Sequence, residues 1–154
     1  MRYVRYAAAG WGIGELVFEG DVLVHHEPPR AAIGRAAPAA STDLLADRLR
    51  AYFEGEAASF DDVAIDDDGA TPFERDVCAA LRAVPYGDVV TYAELAERAG
   101  HPRAQRAAGS FCARNRFSIV VPCHRVVGTN GIGSYGSSGI AYKRRLLELE
   151  GVTL

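Results

Sequence analysis

The first part of the chain has short apolar runs with the spacing of β-strands. Residues Gly14 to Phe18 and Val22 to His26 are two such runs, and they flank the turn signal Glu19-Gly20-Asp21. Two apolar runs around a glycine-bearing turn predict a β-hairpin. Pro28-Pro29 is expected to end this hairpin, because proline cannot donate a backbone hydrogen bond to a sheet.

Apolar residues then return at helical spacing. Ser41 or Thr42 is placed to cap a helix that ends at Gly55. The residues expected on its inner face are Leu44, Leu45, Leu49 and Phe53. The acidic stretch from Asp61 to Gly69 follows and is the best candidate for a linker. We therefore place a domain boundary near residue 70, with one domain over residues 1–69 and a second over residues 70–154.

Two capping boxes predict helices in the second domain. They are Thr71-Pro72-Phe73-Glu74 and Thr91-Tyr92-Ala93-Glu94, in which the threonine and the glutamate satisfy each other's backbone N–H groups. The first box predicts a helix over 72–84. The second predicts a helix that runs to Ala99, with Gly100 as its C-terminal glycine.

A further helix is predicted from Pro102 to about Ala113, and the last helix of the chain over 140–150. Two short helices joined by a glycine-bearing turn are typical of a helix-turn-helix, whose second helix reads DNA. That second helix carries small residues between arginines, which would let it lie close against a nucleic-acid groove. These residues are Arg106, Ala107, Ala108, Gly109 and Arg114.

Charge supports a nucleic-acid partner locally, although the net charge is −3. The segment from Arg98 to Arg125 has six arginines and no acidic residue. A cluster of one sign attracts a partner of the opposite sign whatever the global sum. The alternative is that these arginines form a solvated face with no partner.

Composition narrows the class of protein further. Of the 154 residues, 49% are hydrophobic, yet no apolar run approaches the roughly 20 residues of a membrane span. The N-terminus lacks the apolar core of a secretory signal. The three cysteines form no CxxC pair, which argues against a disulfide framework and a structural zinc site. We expect a cytoplasmic protein with no membrane partner.

The chemistry is expected at Pro122-Cys123-His124-Arg125. A neighbouring imidazole or guanidinium lowers the pKa of a thiol and makes it a better nucleophile. The apolar run Ile119-Val120-Val121 predicts a buried strand that ends at this tetrad. Adjacent residues on a strand point to opposite faces, so pairing of Cys123 with His124 requires a turn or a bridging water. A cysteine hydrolase is one interpretation of such a pair.

These residues resemble the O6-alkylguanine-DNA alkyltransferases, also called methylated-DNA–protein-cysteine methyltransferases. The resemblance covers Thr71 to Gly151 and is carried by several motifs in the family's order. The motifs are Pro72-Phe73, Val84-Pro85-x-Gly87, Thr91-Tyr92-x-x-Leu95-Ala96, Arg106-Ala107-Ala108-Gly109, Arg114-Asn115, Pro122-Cys123-His124-Arg125-Val126-Val127-Gly128 and Lys143-x-x-Leu146-Leu147-x-x-Glu150-Gly151. It implies an α/β fold, with a small RNase H-like N-terminal domain and a winged-helix-like domain that contains the helix-turn-helix.

The resemblance also implies an activity. Members flip an O6-alkylguanine out of duplex DNA and transfer the alkyl group irreversibly to a cysteine, here Cys123. His124 would take the thiol proton through a water, and Glu150 would orient His124. Tyr92 would hydrogen-bond the flipped base and crowd the phosphate, and Asn115 would brace the backbone around the active-site turn.

DNA and substrate contacts follow from the same resemblance. The helix-turn-helix would enter the minor groove, with Arg106 filling the vacated stack. The other residues expected at DNA are Ala107, Ala108, Gly109, Arg114 and Arg125. The carbonyl of Val126 and groups near Tyr135 and Ser137 would meet the guanine. The implied protein is a monomer that binds double-stranded DNA and uses no cofactor or metal.

The chain departs from the family at two places. Arg116 follows Asn115 where many members have proline, and the Gly/Ser loop after Tyr135 is spaced differently. Two alternatives to alkyl transfer remain. One is a helix-turn-helix protein or an alkyltransferase-like protein that binds lesions without repairing them. The other is the cysteine hydrolase, which leaves the basic helix unexplained.

Overall fold

The computed structural model describes residues 1–31, 43–136 and 138–154. Its elements are β1 (Arg2–Ala8), β2 (Gly12–Glu19), β3 (Val22–Arg30), α1 (Leu44–Phe53), α2 (Pro72–Arg82), β4 (Val90–Thr91), α3 (Tyr92–Arg98), α4 (Gln105–Ala113), β5 (Val126–Val127) and α5 (Gly139–Leu149). The predicted mixture of α and β structure is confirmed. Among the described residues, no helix is long and apolar enough to cross a membrane.

The chain divides into two compact units that are not continuous in sequence. The first comprises Met1–Ala58, Asp62–Asp66 and Arg116–Ser118. The second comprises Ser59–Asp61, Asp67–Asn115 and Ile119–Leu154. The domains proposed from the sequence, 1–69 and 70–154, are continuous, so short segments on each side belong to the other unit.

The first unit contains an antiparallel sheet in the order β1-β2-β3. The predicted hairpin of β2 and β3 is confirmed, with Gly20 and Asp21 at its turn, and β1 was not predicted. The prolines do not end β3, which continues to Arg30. The register between β2 and β3 shifts between Ile13 and Glu15, opposite the two prolines, and a bulge in an edge strand tolerates the missing N–H groups.

Helix α1 begins one residue after its cap, and the cap is Asp43. The Asp43 carboxylate accepts the Ala46 N–H at 3.0 Å. The predicted caps Ser41 and Thr42 lie outside the described residues. Leu44 is 78% exposed, so its predicted place on the inner face is wrong. Its position one residue after the cap turns it away from the face formed by the buried residues Leu45, Leu49 and Phe53.

A buried hydrogen-bond network joins the segment Arg116–Ser118 to the sheet of the first unit. The backbone N–H of His26 donates to Arg116 O at 2.8 Å. The His26 Nδ1–H donates to Ser118 O at 2.5 Å, and the Tyr6 hydroxyl lies 2.6 Å from His26 Nε2. This segment immediately follows Asn115 in the sequence, so the network fixes the chain next to a predicted site residue.

The second unit is built on the capped helices. Both predicted capping boxes are present, at Thr71 for α2 and at Thr91 for α3. Gly100 has φ 83° directly after α3, as expected for a helix-terminating glycine. Strands β4 and β5 form a short parallel pair, Val90 with Val126 and Thr91 with Val127. This pair was not predicted.

Helix α4 begins at Gln105, three residues later than predicted. Arg103 has φ 76°, a left-handed conformation that a helix cannot contain. Pro102 and Arg103 therefore form the turn between α3 and α4. Arg106 is on the helix, whereas Arg114 is its C-terminal cap residue.

Candidate active site

The tetrad Pro122-Cys123-His124-Arg125 lies in a turn, not at the end of a strand. Ile119 to Val121 are buried as predicted, but Ile119 and Val120 form a turn and Cys123–Arg125 form one turn of 3₁₀ helix. The predicted strand is therefore wrong. Ile119 has φ 73°, which is rare for a β-branched residue and costs of order 1–3 kcal/mol.

Cys123 is held in this turn by its neighbours. Its residue is 3% exposed, and its backbone N–H donates to Val121 O at 2.8 Å. Asn115 Nδ2 also donates to Val121 O at 2.9 Å. Burial raises the pKa of the Cys123 thiol, and the Cys112 thiol raises it further. The sulfur is therefore protonated at neutral pH, and a nucleophilic role requires a base.

The base next in sequence, His124, is part of a buried network centred on Glu150. The His124 Nε2–H donates to Glu150 Oε2 at 2.6 Å. Arg125 donates to both carboxylate oxygens, from Nε at 2.9 Å and from Nη2 at 3.1 Å. The backbone N–H of Gly87 donates to Oε1 at 3.2 Å. Glu150 is thus buried at the end of α5 with several donors around its carboxylate.

The protonation states in this network follow from burial and charge. Burial alone would raise the pKa of Glu150, but the hydrogen bonds and charges of His124 and Arg125 outweigh it and hold that pKa far below its ordinary value. Burial lowers the pKa of His124, although Glu150 opposes the shift. The imidazole is neutral at pH 7, and since Nε2 donates to Glu150, Nδ1 is the nitrogen that can accept a proton.

Arg125 was predicted to contact DNA, but its side chain is buried inside the protein. It is 5% exposed, and besides Glu150 it binds Val84 O through Nη1 at 2.8 Å. A guanidinium engaged in this way inside the protein cannot reach a phosphate. We correct its role to anchoring Glu150.

Lys143 is a site residue that the sequence identified only as part of a helix motif. It is fully buried on α5, and its Nζ donates to Val126 O at 2.5 Å and to Ser134 O at 3.0 Å. Burial lowers the pKa of Lys143 to about 8, while the nearby thiols Cys112 and Cys123 oppose the shift. Lys143 is therefore still mainly charged at neutral pH, beside Cys123.

Tyr92 packs between α4 and the loop that precedes α5. Burial raises the pKa of its hydroxyl. A Cβ added to Gly133 would lie 3.2 Å from the Tyr92 hydroxyl oxygen, and one added to Gly109 would lie 3.8 Å from the Tyr92 ring. Tyr135 in this loop is partly exposed, and Ser137 lies outside the described residues.

The residues of α4 that were predicted to contact DNA lie on two different faces of the helix. Arg106 and Ala107 are exposed, whereas Ala108 is fully buried. The prediction that Ala108 meets DNA is therefore wrong, because the helix packs this residue against the interior. Arg114 is exposed and lies 4.0 Å from Glu74. Arg106, Ala107 and Arg114 thus remain available to a partner, and Gly109 is partly exposed.

Known proteins are similar to the part of the chain that contains these residues. The family profile described as "6-O-methylguanine DNA methyltransferase, DNA binding domain" matches residues 72–152. A methylated-DNA–protein-cysteine methyltransferase of Methanosarcina acetivorans is 47% identical over 104 residues, which cover 68% of this chain and 65% of that protein. One of the same name from Shigella flexneri is 44% identical over 110 residues, covering 71% of this chain and 64% of that protein. The match spans less than two thirds of the length of both relatives.

Solved structures extend the similarity to nearly the whole chain. The structure of Mycobacterium tuberculosis OGT in complex with DNA has a TM-score of 0.79 and 35% identity, covering 98% of this chain and 93% of that one. The O6-methylguanine-DNA methyltransferase of Pyrococcus kodakaraensis has a TM-score of 0.71 and 26% identity, covering 97% of this chain and 98% of that one. The similarity therefore includes the N-terminal unit, for which the sequence motifs gave little information.

Proposed function

The chain belongs to the family of methylated-DNA–protein-cysteine methyltransferases, and from this premise we propose that it repairs DNA by direct reversal. The substrate is an O6-alkylguanine in duplex DNA, and the acceptor of the alkyl group is Cys123. The observation that carries the proposal is a buried thiol followed directly in sequence by a buried histidine that is hydrogen-bonded to Glu150. This arrangement supplies a nucleophile, a base and a group that orients the base.

The transfer is a displacement at a saturated carbon. The thiol of Cys123 gives its proton to Nδ1 of His124 through a water, and the sulfur forms a bond to the alkyl carbon. The bond between that carbon and O6 breaks, and its electron pair goes to the guanine. Glu150 stabilises the imidazolium that forms, and the charge of Lys143 beside Cys123 favours the thiolate. The product is a thioether, which gives no route back to the thiol, so each molecule acts once.

The guanine must leave the base stack before its O6 atom can meet Cys123. We propose that α4 lies in the minor groove, that Arg106 fills the vacated stack, and that Ala107 and Gly109 allow close approach. Arg114 is proposed to contact a phosphate.

Tyr92 lies close to Gly133 in the loop before α5, and we propose that it hydrogen-bonds the flipped base. The carbonyl of Val126 accepts from Lys143, and because a carbonyl oxygen has two lone pairs, we propose that it also accepts from the guanine amine. Tyr135 and Ser137 are proposed to contact the flipped guanine, with groups near Ser137 meeting O6.

Several broader features belong to the same proposal. The first unit is proposed to be RNase H-like and the second winged-helix-like, with the protein acting as a monomer in the cytoplasm. A reducing compartment suits a protein whose function requires a free thiol.

A titration of lesions against protein tests the proposal. A duplex with one O6-methylguanine is incubated with the protein, and the restored guanine is measured by nucleoside chromatography. We expect restoration to stop at one guanine per protein molecule, with none for Cys123→Ala and full restoration for Cys78→Ala. Binding without restoration would instead indicate a lesion-binding protein, and continued turnover would indicate a different enzyme.

A further inference from the structure

A β-turn in the loop between α2 and β4 contacts the end of α5. The turn comprises Pro85 to Asp88 and is closed by the Asp88 N–H, which donates to Pro85 O at 3.1 Å. Pro85 and Gly87 belong to one of the motifs that carry the family resemblance. The proposed transfer step gives this turn no role, so the reason for its place beside α5 is open.

Two hydrogen bonds join the turn to the residue that orients the base. The Gly87 N–H donates to Glu150 Oε1 at 3.2 Å. The Tyr86 hydroxyl donates to the carbonyl of Leu149 at 3.2 Å, and this carbonyl directly precedes Glu150 in the sequence. The turn therefore binds both the carboxylate of Glu150 and the backbone that carries it.

The same stretch of chain also holds the other partner of that carboxylate. Arg125, which donates to Glu150 from Nε and Nη2, donates from Nη1 to Val84 O at 2.8 Å. Its guanidinium carbon lies 5.9 Å from the centre of the Tyr86 ring, within the range of a cation–π contact. Residues 84–87 thus contact the carboxylate and the guanidinium that pairs with it.

Gly87 has a backbone conformation that suits glycine. Its φ is 85°, in the left-handed region where a side chain causes strain. A Cβ added to Gly87 would also lie 3.4 Å from the backbone oxygen of Glu150. A larger residue would relieve the strain by moving the backbone, and the N–H that binds Glu150 would move with it.

We propose that Tyr86 and Gly87 are positioning residues for alkyl transfer, which hold Glu150 where it keeps His124 oriented to accept the thiol proton. This inference rests on the proposed function, because it concerns the same proton transfer. The path from the turn to the base is short, since the bound Glu150 accepts from His124 Nε2–H through Oε2 at 2.6 Å. A carboxylate released from the turn no longer fixes which ring nitrogen carries the proton.

Nitrogen NMR of the isotope-labelled, full-length protein tests the orientation of His124 directly. At neutral pH the signals of a neutral imidazole show whether its proton is on Nε2 or on Nδ1. The His124 signals are assigned by their loss in His124→Gln. We expect the proton on Nε2 in the unaltered protein and a mixture of the two forms in Gly87→Ala, because the acceptor that selects Nε2 is displaced.

The rate of benzyl transfer from the free base O6-benzylguanine is the second measurement, and it requires no binding to DNA. Gly87→Ala should slow transfer by about tenfold, a part of the contribution of acid–base catalysis. Tyr86→Phe keeps the ring and removes only the hydroxyl, so it should slow transfer by about threefold, as for one lost hydrogen bond. This milder variant tests the same role if the alanine variant does not fold.

Gly100→Ala is the matched control for backbone strain. Gly100 has φ 83°, nearly that of Gly87, but nothing lies within 4 Å of a Cβ added there. Both alanine variants should lose similar stability in urea unfolding, whereas Gly100→Ala should keep the rate and the Nε2 proton of the unaltered protein. An equal loss of rate in both alanine variants would overturn the positioning role, because strain alone would then explain it.

The two proposals can fail separately. If the unaltered protein accepts no benzyl group, the proposed function fails, and the NMR signals of His124 still test whether the turn positions Glu150. If the unaltered protein reacts, and Gly87→Ala and Tyr86→Phe react at its rate with the His124 proton on Nε2, the positioning role fails alone.

Discussion

At the scale of single residues, Glu150 has the most consequence for the proposed chemistry. Its carboxylate binds His124, Arg125 and the Gly87 N–H in one buried cluster. A carboxylate with this many donors stays ionised, and it fixes the imidazole with Nε2 inward. The neutral His124 is thereby ready to take a proton at Nδ1.

Glu150→Gln should slow alkyl transfer by about 100-fold, the lower range for loss of acid–base catalysis. In the unaltered protein, the transfer rate should fall as the pH drops through the pKa of His124, because a protonated imidazole cannot accept the thiol proton. That pKa lies below 6.5, and Glu150 raises it. In the variant, the fall in rate should therefore begin at a lower pH, and the maximum rate at higher pH should be smaller. Rates over a pH series measure both, and Glu148→Gln on the same helix is the control. An unchanged plateau would contradict the role of Glu150.

Arg106→Ala should weaken repair of duplex DNA by about tenfold or more, since unstacking a base costs a few kcal/mol that the inserted side chain offsets in part. Reaction with the free base O6-benzylguanine requires no flipping and should change little. Both rates are measured on the same preparation, with Arg145→Ala as a control on α5. An equal loss on both substrates would count against Arg106 as the group that fills the stack.

The sequence was informative about site residues that carry chemistry, and less so about those that support it. Cys123, His124 and Glu150 were predicted, and the structure brings the last two into contact. The contribution of Lys143 was missed because a lysine within an amphipathic helix gives no sign that it is buried. Arg125 was misassigned because charge along the chain does not reveal which arginine finds a carboxylate inside the fold.

At the scale of elements, local signals were sufficient for some helices and not for others. The capping boxes of α2 and α3 involve residues three positions apart, so the sequence contains the whole signal. The start of α4 was wrong because Pro102 is usual at a helix start but here precedes a left-handed Arg103. The β4–β5 pair was missed because each strand has two residues and its partner is distant in sequence.

Thr91→Ala should lower the free energy of unfolding by about 1 kcal/mol, because the hydroxyl that accepts the Glu94 N–H is lost. Thr91→Ser keeps the hydroxyl and should retain most of the stability. Urea unfolding of the three proteins measures the difference. Equal stability of the alanine variant would show that the capping box contributes little to α3, which begins with Tyr92.

At the scale of the whole molecule, each of the two units is built from segments that are separate in the sequence. Arg116–Ser118 belongs to the first unit although both its neighbours in sequence belong to the second. A sequence pattern cannot show that Arg116–Ser118 belongs to the first unit, because the Ser118 carbonyl binds His26, which lies about 90 residues earlier. The linker proposed from composition therefore gave only an approximate boundary.

The buried His26 makes stability depend on pH. Burial, opposed by the Ser118 hydrogen bond, lowers the pKa of His26 from 6.5 to about 4. The unfolded chain therefore binds more protons between these values, and stability falls as the pH drops from about 6.5 to about 4. The loss attributable to His26 between about pH 7 and pH 5 is about 2 kcal/mol.

His26→Gln should remove this part of the pH dependence, whatever its effect on stability at pH 7. His25→Gln, at the partly exposed neighbouring position, should leave the pH dependence as it is. Urea unfolding at a series of pH values gives the slopes. A His26→Gln variant with the slope of the unaltered protein would show that another group is responsible.

The most direct test of the whole account is the mass of the intact protein after reaction with duplex DNA that contains O6-methylguanine. We predict a gain of one methylene on every active molecule, located by tryptic mapping on peptide 117–125, and no gain for Cys123→Ala. A methyl group on another residue, or repaired guanine with no gain in protein mass, would contradict the assignment of Cys123 as the acceptor.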